Sequence, residues 1–319
     1  MTDPNDLYTP GAGLPLALPF GSTEHPSLAQ VRREFEHLRG TDTPRTSSEE
    51  QDAADFRRVS RRVLDQLAEI LSDRDRDVLS RVDQHRYLTT LQLQRFAFVD
   101  HVSLESAART TRRVLNRLER FHLLYPVKRR IGGVRSGSSA RVWQLTPAAA
   151  RLLRYEGAVH RRHEPSLRFL AHCLAVADVH LAFRDLRSNA RIESVEVQTE
   201  PDSWRPYTGP GGERRLLQPD LAAVLSTGRY DDRFFIEVDL GTESLPTLLR
   251  KCGQYEDYRS TGIEQSAQGA FPLVLWFFTK PERAERLQLA VGRSARLTPG
   301  LFRYVTPHTL TQTLVEGVG

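Results

Sequence analysis

Cysteine, lysine and long apolar runs are all scarce in this chain of 319 residues. Its two cysteines, Cys173 and Cys252, lie far apart in segments with helical patterning, too few for a disulfide framework or a zinc site. His85, His101, His122, His160, His163, His172 and His180 show no H-E-x-x-H or related metal spacing, and His172 and His180 read as packed or exposed positions of one long helix rather than catalytic ones. There is no phosphate-cradling P-loop, because "GPGGERR" reads as a turn with basic flanks. No tyrosine accompanies the multi-histidine motif that a covalent strand-transferring relaxase would use. The longest apolar run, Leu273–Phe278, is strand-sized and far below the ~18–20 residues of a membrane span. The first twenty residues contain "GAGLPLALPF" without a basic leader or a clean small-residue cleavage site. A cytoplasmic protein with no membrane partner is therefore expected.

Arginine is abundant, and its placement is uneven. Between Arg109 and Arg141 lie Arg109, Arg112, Arg113, Arg117, Arg120, Lys128, Arg129, Arg130, Arg135 and Arg141 against one acid, Glu119. That block carries +9 in a chain whose total is +5, so the remainder sums to −4. A solvated helix face would interleave acids with these bases. The concentration of one sign instead points to a polyanion, most often nucleic acid.

The length exceeds what one core usually fills, so more than one domain is expected. Residues 1–48, rich in Pro, Gly, Ser and Thr, read as a flexible arm. Residues 49–157 read as a DNA-binding domain. A helix from about Glu49 to Leu71 carries Val59, Val63, Leu67 and Ile70 at helical spacing, and Ser72 with Asp75 caps a second. Thr89 or Thr90 caps the short helix "LQLQRFAF". A third helix from about Leu104 to Phe121 buries Thr111, Val114, Leu115 and Leu118 and turns Arg109, Arg112, Arg113, Asn116, Arg117 and Arg120 outward. "LLYPVKRRI", "GGVRSGSS" and "ARVWQLT" then read as strand, turn and strand, and "TPAAARLLRYE" as a helix opened by Thr146 and Pro147. Three helices followed by a basic hairpin form a winged helix-turn-helix pattern. Its third helix would enter the major groove, with Lys128, Arg129, Arg130, Arg135 and Arg141 on the backbone.

After the linker "GAVHRRHEP", residues 166–319 read as an α/β domain of order αβββαβ with a further α or β tail. A long helix spans Ser166 to about Asn189. Strands follow at "RIESVEVQTE", "RLLQPDLAAVLS" and "RFFIEVDL", then a helix at "SLPTLLRKCGQYEDYRS" and a strand at "FPLVLWFFT". Glu237 and Asp239 are two apart in an apolar strand and so share a face. Asp220, after Pro219, opens the preceding strand, and a return of about ten residues lets it meet Glu237. Asp220, Glu237 and Asp239 together are hard oxygen donors suited to Mg²⁺ or Mn²⁺, which could activate water against a phosphodiester. Against that stands a plainer reading, in which Asp220 caps a turn and the two strand acids pair with Arg250 or Arg259.

"QPD" seventeen residues before "EVD", in an αβββαβ order, resembles the PD-(D/E)xK nuclease superfamily. Gln254 and Tyr258 form a Q-x-x-x-Y arrangement similar to a RecB-like branch of those nucleases. Over roughly residues 70–280 the chain resembles the replication-relaxation family of bacterial plasmids and integrative elements. The resemblance implies a winged helix on duplex DNA, a nuclease-like domain behind it, and a nick or cut made during replication or transfer. It also implies as partners DNA, a second copy of the chain, and other replication or transfer proteins. One departure is plain: Asp239 stands where the superfamily has lysine, and Lys251, one of three lysines in the chain, is the replacement at hand. In the active version Lys251 polarises water or phosphate, and Gln254 and Tyr258 orient the strand. In the alternative, the domain is a degenerate nuclease fold in a non-catalytic DNA-binding regulator or replication accessory factor.

Overall fold

The computed structural model describes residues 59–127, 141–153 and 165–315, all within one compact unit, Thr41–Gly319. The expected arm of residues 1–48, residues 49–58 of the first expected helix, the turn with Lys128, Arg129, Arg130 and Arg135, and most of the linker lie outside the described residues.

The described chain is mixed α/β. It opens with helices α1 (Arg61–Ile70) and α2 (Asp73–His85). Ser72 and Asp75 close α2 with a reciprocal capping box, each satisfying the other's backbone N–H. Strand β1 (Leu88–Thr89) leads into α3 (Thr90–Ala97), where Thr89 and Gln92 repeat that device. Helix α4 (Leu104–Arg120) follows, with Ala107, Thr111, Val114, Leu115 and Leu118 buried along one stripe. Strands β2 (Leu124–Pro126) and β3 (Val142–Leu145) pair antiparallel, and β1 adds to the other side of β3, giving the sheet order β1-β3-β2. Helix α5 (Pro147–Leu153) then starts with Pro147, whose missing N–H costs nothing in a first turn.

Helix α6 (Leu167–Asp185) is apolar on more than one side because it is covered on more than one side. Leu170, Cys173 and Leu174 pack with Tyr87, Val127 and Val142 of the first sheet's surroundings. Val179 and Phe183 pack instead onto the second, larger sheet. The expected helix to Asn189 ends four residues earlier and tightens into a 3₁₀ turn at Leu186–Ser188.

In the larger sheet, strands β4 (Ser194–Thr199), β7 (Leu221–Ser226) and β8 (Asp231–Asp239) are antiparallel. Strands β8, β9 (Leu273–Phe278) and β10 (Phe302–Val305) are parallel, and the full order is β10-β9-β8-β7-β4. The parallel β8–β9 pair needs a crossover, supplied by α7 (Leu245–Ser260) and the short α8 (Ile263–Gln268). Helix α9 (Pro281–Gly292) makes the next crossover, and α10 (Leu310–Val315) ends the described chain. Phe234, Ile236 and Val238 face α6 and α10, whereas Phe235 faces α7. Burial on both faces explains why "FFIEV" and "LVLWFF" are almost continuously apolar.

One expected strand is two. "RLLQPDLAAVLS" splits at Gln218–Asp220 into β6 (Arg214–Leu217), which pairs with β5 (Arg205–Thr208) in a separate ribbon, and β7. Pro219 cannot donate to a ladder, and the Ser203 hydroxyl holds its carbonyl at 2.8 Å, fixing the break. Among the described residues no helix is long and apolar enough to cross a membrane.

Candidate functional site

The break before β7 sets up the polar cluster. Leu221 pairs with Ile236, so Asp220, one residue earlier, stands beside Glu237 on the face that meets α7. Asp220 Oδ2 accepts a hydrogen bond from the Val238 N–H at 2.7 Å, and its Oδ1 meets His172 Nε2 of α6 at 3.0 Å. Glu237 is only 3% exposed. Its Oε1 accepts from the Tyr255 hydroxyl at 2.6 Å and its Oε2 from Lys251 Nζ at 3.0 Å. Lys251 also lies 3.5 Å from Glu243. Lys251 and Tyr255 are four apart on α7, which places them on one helix face.

Burial dominates the electrostatics here. It pushes the Glu237 carboxyl up to about 7; the nearby Asp220 charge adds to that, and Lys251 opposes it. Burial alone would lower Lys251, but the Glu237 and Asp220 carboxylates outweigh it and raise the ammonium above its ordinary value. For His172 burial again lowers and the hydrogen bond to Asp220 raises, with a net rise. Burial and the Glu237 charge hold the Tyr255 hydroxyl well above the usual tyrosine range. The result is two neighbouring acid–base pairs, Asp220 with His172 and Glu237 with Lys251, in which the acids are buried and the bases are half-buried.

Asp220, Glu237 and Lys251, expected in one place from the sequence, meet in the structure. Asp239 shares the face of Glu237 but turns to different partners, Arg283 Nε of α9 at 2.5 Å and the Gly241 N–H at 2.7 Å. Arg283 also bonds the Glu243 carbonyl, so Asp239 anchors the loop after β8 to α9. Arg250 and Arg259 are not the partners of these acids; Arg259 pairs with Glu256. Gln254 points outward from α7, and Tyr258 donates to Glu264 at 2.9 Å within a ring cluster with Tyr207, Phe235 and Phe271. Neither joins the cluster. His172 and Tyr255 do, although neither is among the residues expected there. Tyr255 was readable as the residue one turn beyond Lys251, whereas His172 lies 48 residues before Asp220 and needed the tertiary fold.

Each of the three candidate metal ligands, Asp220, Glu237 and Asp239, has its carboxylate engaged by protein donors. Among the described residues no group of three or more His, Cys, Asp or Glu is arranged to hold a metal ion. As placed, Asp220, Glu237 and Asp239 do not converge on a divalent-cation centre.

A second polar surface lies on α4. Arg109, Arg112, Arg113, Asn116 and Arg120 are exposed along its outer side. Arg112 and Arg120 bond back to the carbonyls of Ala108 and Asn116, and among the described residues none of the four arginines has a carboxylate within ion-pair distance. Arg117 departs from the expected outward set. Its Nη2 reaches both oxygens of Asp75 at 2.6 Å, and Asp75 is 1% exposed. Arg141 is exposed, 3.4 Å from Glu119, with its guanidinium over the Trp143 ring.

No curated protein and no solved structure matches the chain. A family model described as replication-relaxation matches residues 79–274, from the middle of α2 to the start of β9 and so well over half of the sequence. Both polar surfaces fall inside that match, and the chain belongs to the replication-relaxation family.

Proposed function

We propose that this protein binds duplex DNA and serves the replication or relaxation of a mobile element's DNA. The family supports the process. The observation that carries the binding is α4, whose inner stripe is packed and whose outer side presents four arginines and Asn116 without acidic partners among the described residues. The order α2-β1-α3-α4-β2-β3 with the sheet β1-β3-β2 supports a winged helix-turn-helix reading, in which α4 enters the major groove. Arginine forks suit phosphate oxygens and guanine edges. Of the remaining basic residues of the block, Arg141 is exposed beside β3, and Lys128, Arg129, Arg130 and Arg135, outside the described residues, add four positive charges to the same stretch of sequence.

The order α6-β4-β7-β8-α7-β9 supports a PD-(D/E)xK-like ancestry for the second half. In our reading that half is a platform whose Asp220, Glu237, Lys251 and His172 form an internally neutralised cluster. The second reading, phosphodiester cleavage with Mg²⁺ or Mn²⁺, is favoured by one observation: Lys251 arrives at Glu237 from α7 in place of the strand lysine that Asp239 displaces.

Replacing Arg109, Arg112 and Arg113 by Ala tests the primary reading. Affinity for a duplex should fall, and the slope of log K against log salt should flatten by about one unit for each phosphate no longer neutralised. Unchanged affinity and slope would remove α4 as the DNA-binding element.

A further inference from the structure

At the junction of the two halves, and lined by none of the residues of the Asp220 cluster, a cavity of about 280 Å³ opens between α2, the end of α6 and the edge strand β4. Arg81 and Gln84 line it from α2, His180 and Arg184 from α6, Arg187 from the 3₁₀ turn, and Glu196 with its neighbours from β4. Its size is near the lower end of small-ligand pockets, roughly 300–1,000 Å³.

Three guanidiniums bordering one cavity is an unusual concentration of like charge. Arg81 and Arg184 are both held over the ring of Phe96, at 5.8 and 5.7 Å. Arg184 is fixed further by bonds to the carbonyls of Arg95 and Phe96, and Arg187 by a 2.7 Å bond to the Val195 carbonyl. Arg81 has an acid partner, Asp77, at 3.2 Å. Among the described residues Arg184 and Arg187 have no carboxylate within ion-pair distance. Glu196 is the single acid lining the cavity, and it is exposed on the sheet edge. The histidines do not add charge: His180 and His85 meet at 3.1 Å, and burial pushes each down to about 3, so both are neutral at physiological pH. Burial and then repulsion from Arg81 and Arg187 lower the Arg184 guanidinium, against a smaller opposing pull from Asp77 and Asp185. A bound anion would relieve that repulsion.

We infer that the cavity bordered by Arg81, Arg184 and Arg187 is a binding site for a phosphate group. The guanidinium forks are pre-positioned by Phe96 and by backbone carbonyls, so little side-chain freedom is lost when the phosphate oxygens are bound. The same group could arrive as a nucleic-acid backbone phosphate or as a free phosphate compound. The site stands independently of the role given to α4.

The full-length chain is titrated with inorganic phosphate at constant ionic strength against a chloride control, following Tm, and in parallel with a duplex oligonucleotide. Phosphate is expected to raise Tm, with an apparent Kd weakened about tenfold in Arg187→Ala and by less in Arg187→Lys, which keeps the charge but not the fork. Reduced duplex affinity in Arg187→Ala, with a salt slope lower by about one unit, identifies the backbone as the source of the phosphate. Unchanged duplex affinity beside a lost phosphate response identifies a free phosphate compound. An equal phosphate response in wild type and Arg187→Ala, or no response in either, overturns the site. The Arg109/Arg112/Arg113 variant keeps its phosphate response throughout, which separates failure of this site from failure of α4 as the DNA-binding element.

Discussion

Lys251 reaches the Glu237 carboxylate at 3.0 Å from the helix after the strand, and the strand position two residues beyond Glu237 is occupied by an acid that belongs to Arg283. Glu237 is left with one ammonium and one hydroxyl as its side-chain partners.

Lys251→Met should therefore leave an uncompensated carboxylate inside the protein. Breaking such a pair costs about 3–5 kcal/mol. The loss should be largest above pH 7 and shrink toward pH 5, where Glu237 can take up a proton. The double variant Glu237→Gln with Lys251→Met should recover much of the stability. Urea unfolding at pH 5 and pH 8 checks this; equal losses at both pH values would show that Glu237 is not the group Lys251 serves.

The pH dependence of the wild type has a definite sign. The Glu237 carboxyl is raised from 4.5 to about 7 on folding, so the folded state holds its proton more tightly. Its contribution is fully present below about pH 4.5 and is lost as pH rises to about 7. His172, also raised, acts in the same direction at the upper end of that window. Glu237→Gln should flatten this part of the stability curve; an unaltered curve contradicts the assignment.

Neighbouring arginines of α4 should behave differently. Arg117→Ala removes the only cationic partner, among the described residues, of Asp75, a buried residue in the first turn of α2 that otherwise keeps only its bonds to Ser72, and should cost about 2 kcal/mol of unfolding free energy. Arg113→Ala, on the exposed side, should change stability by less than about 0.5 kcal/mol and act on DNA affinity instead. Thermal unfolding and duplex titration of the two variants side by side decide the matter.

Supercoiled plasmid with Mg²⁺ or Mn²⁺ tests the cleavage reading. With the carboxylates of Asp220, Glu237 and Asp239 committed to protein donors, wild type, Asp220→Ala and Glu237→Ala should leave the plasmid equally supercoiled. Nicking by wild type that both variants lose would establish the second reading over ours.

The parts legible in the sequence were those set by neighbours along the chain. Ser72 with Asp75 caps α2 as expected, and of the two candidate caps Thr89 and Thr90 it is Thr89 that caps α3, with Gln92 three residues on as its partner. The meeting of Asp220 and Glu237 followed from strand alternation and a short return. Tyr258 completes a spacing with Gln254, yet the helical phase of Lys251 selects Tyr255. Arg117 follows the buried Val114 by three residues, a phase that already hinted at the inward side. His172, and the meeting of His85 with His180 across 95 residues, depend on how α6 is laid over other elements, which no local pattern encodes.

Helix α6 touches both cores with different parts of its length. Leu170, Cys173 and Leu174 close the packing around Tyr87, Val127 and Val142, while Val179 and Phe183 close the core of the five-stranded sheet. Gln92 of α3 also bonds the Leu174 carbonyl at 2.8 Å and Asp178 at 2.7 Å. A cut before Ser166 would strip one core of its cover, and a cut after Asp185 would strip the other. The same rod carries His172 to Asp220 and Arg184 to the junction cavity, so one rigid helix fixes a member of each polar group.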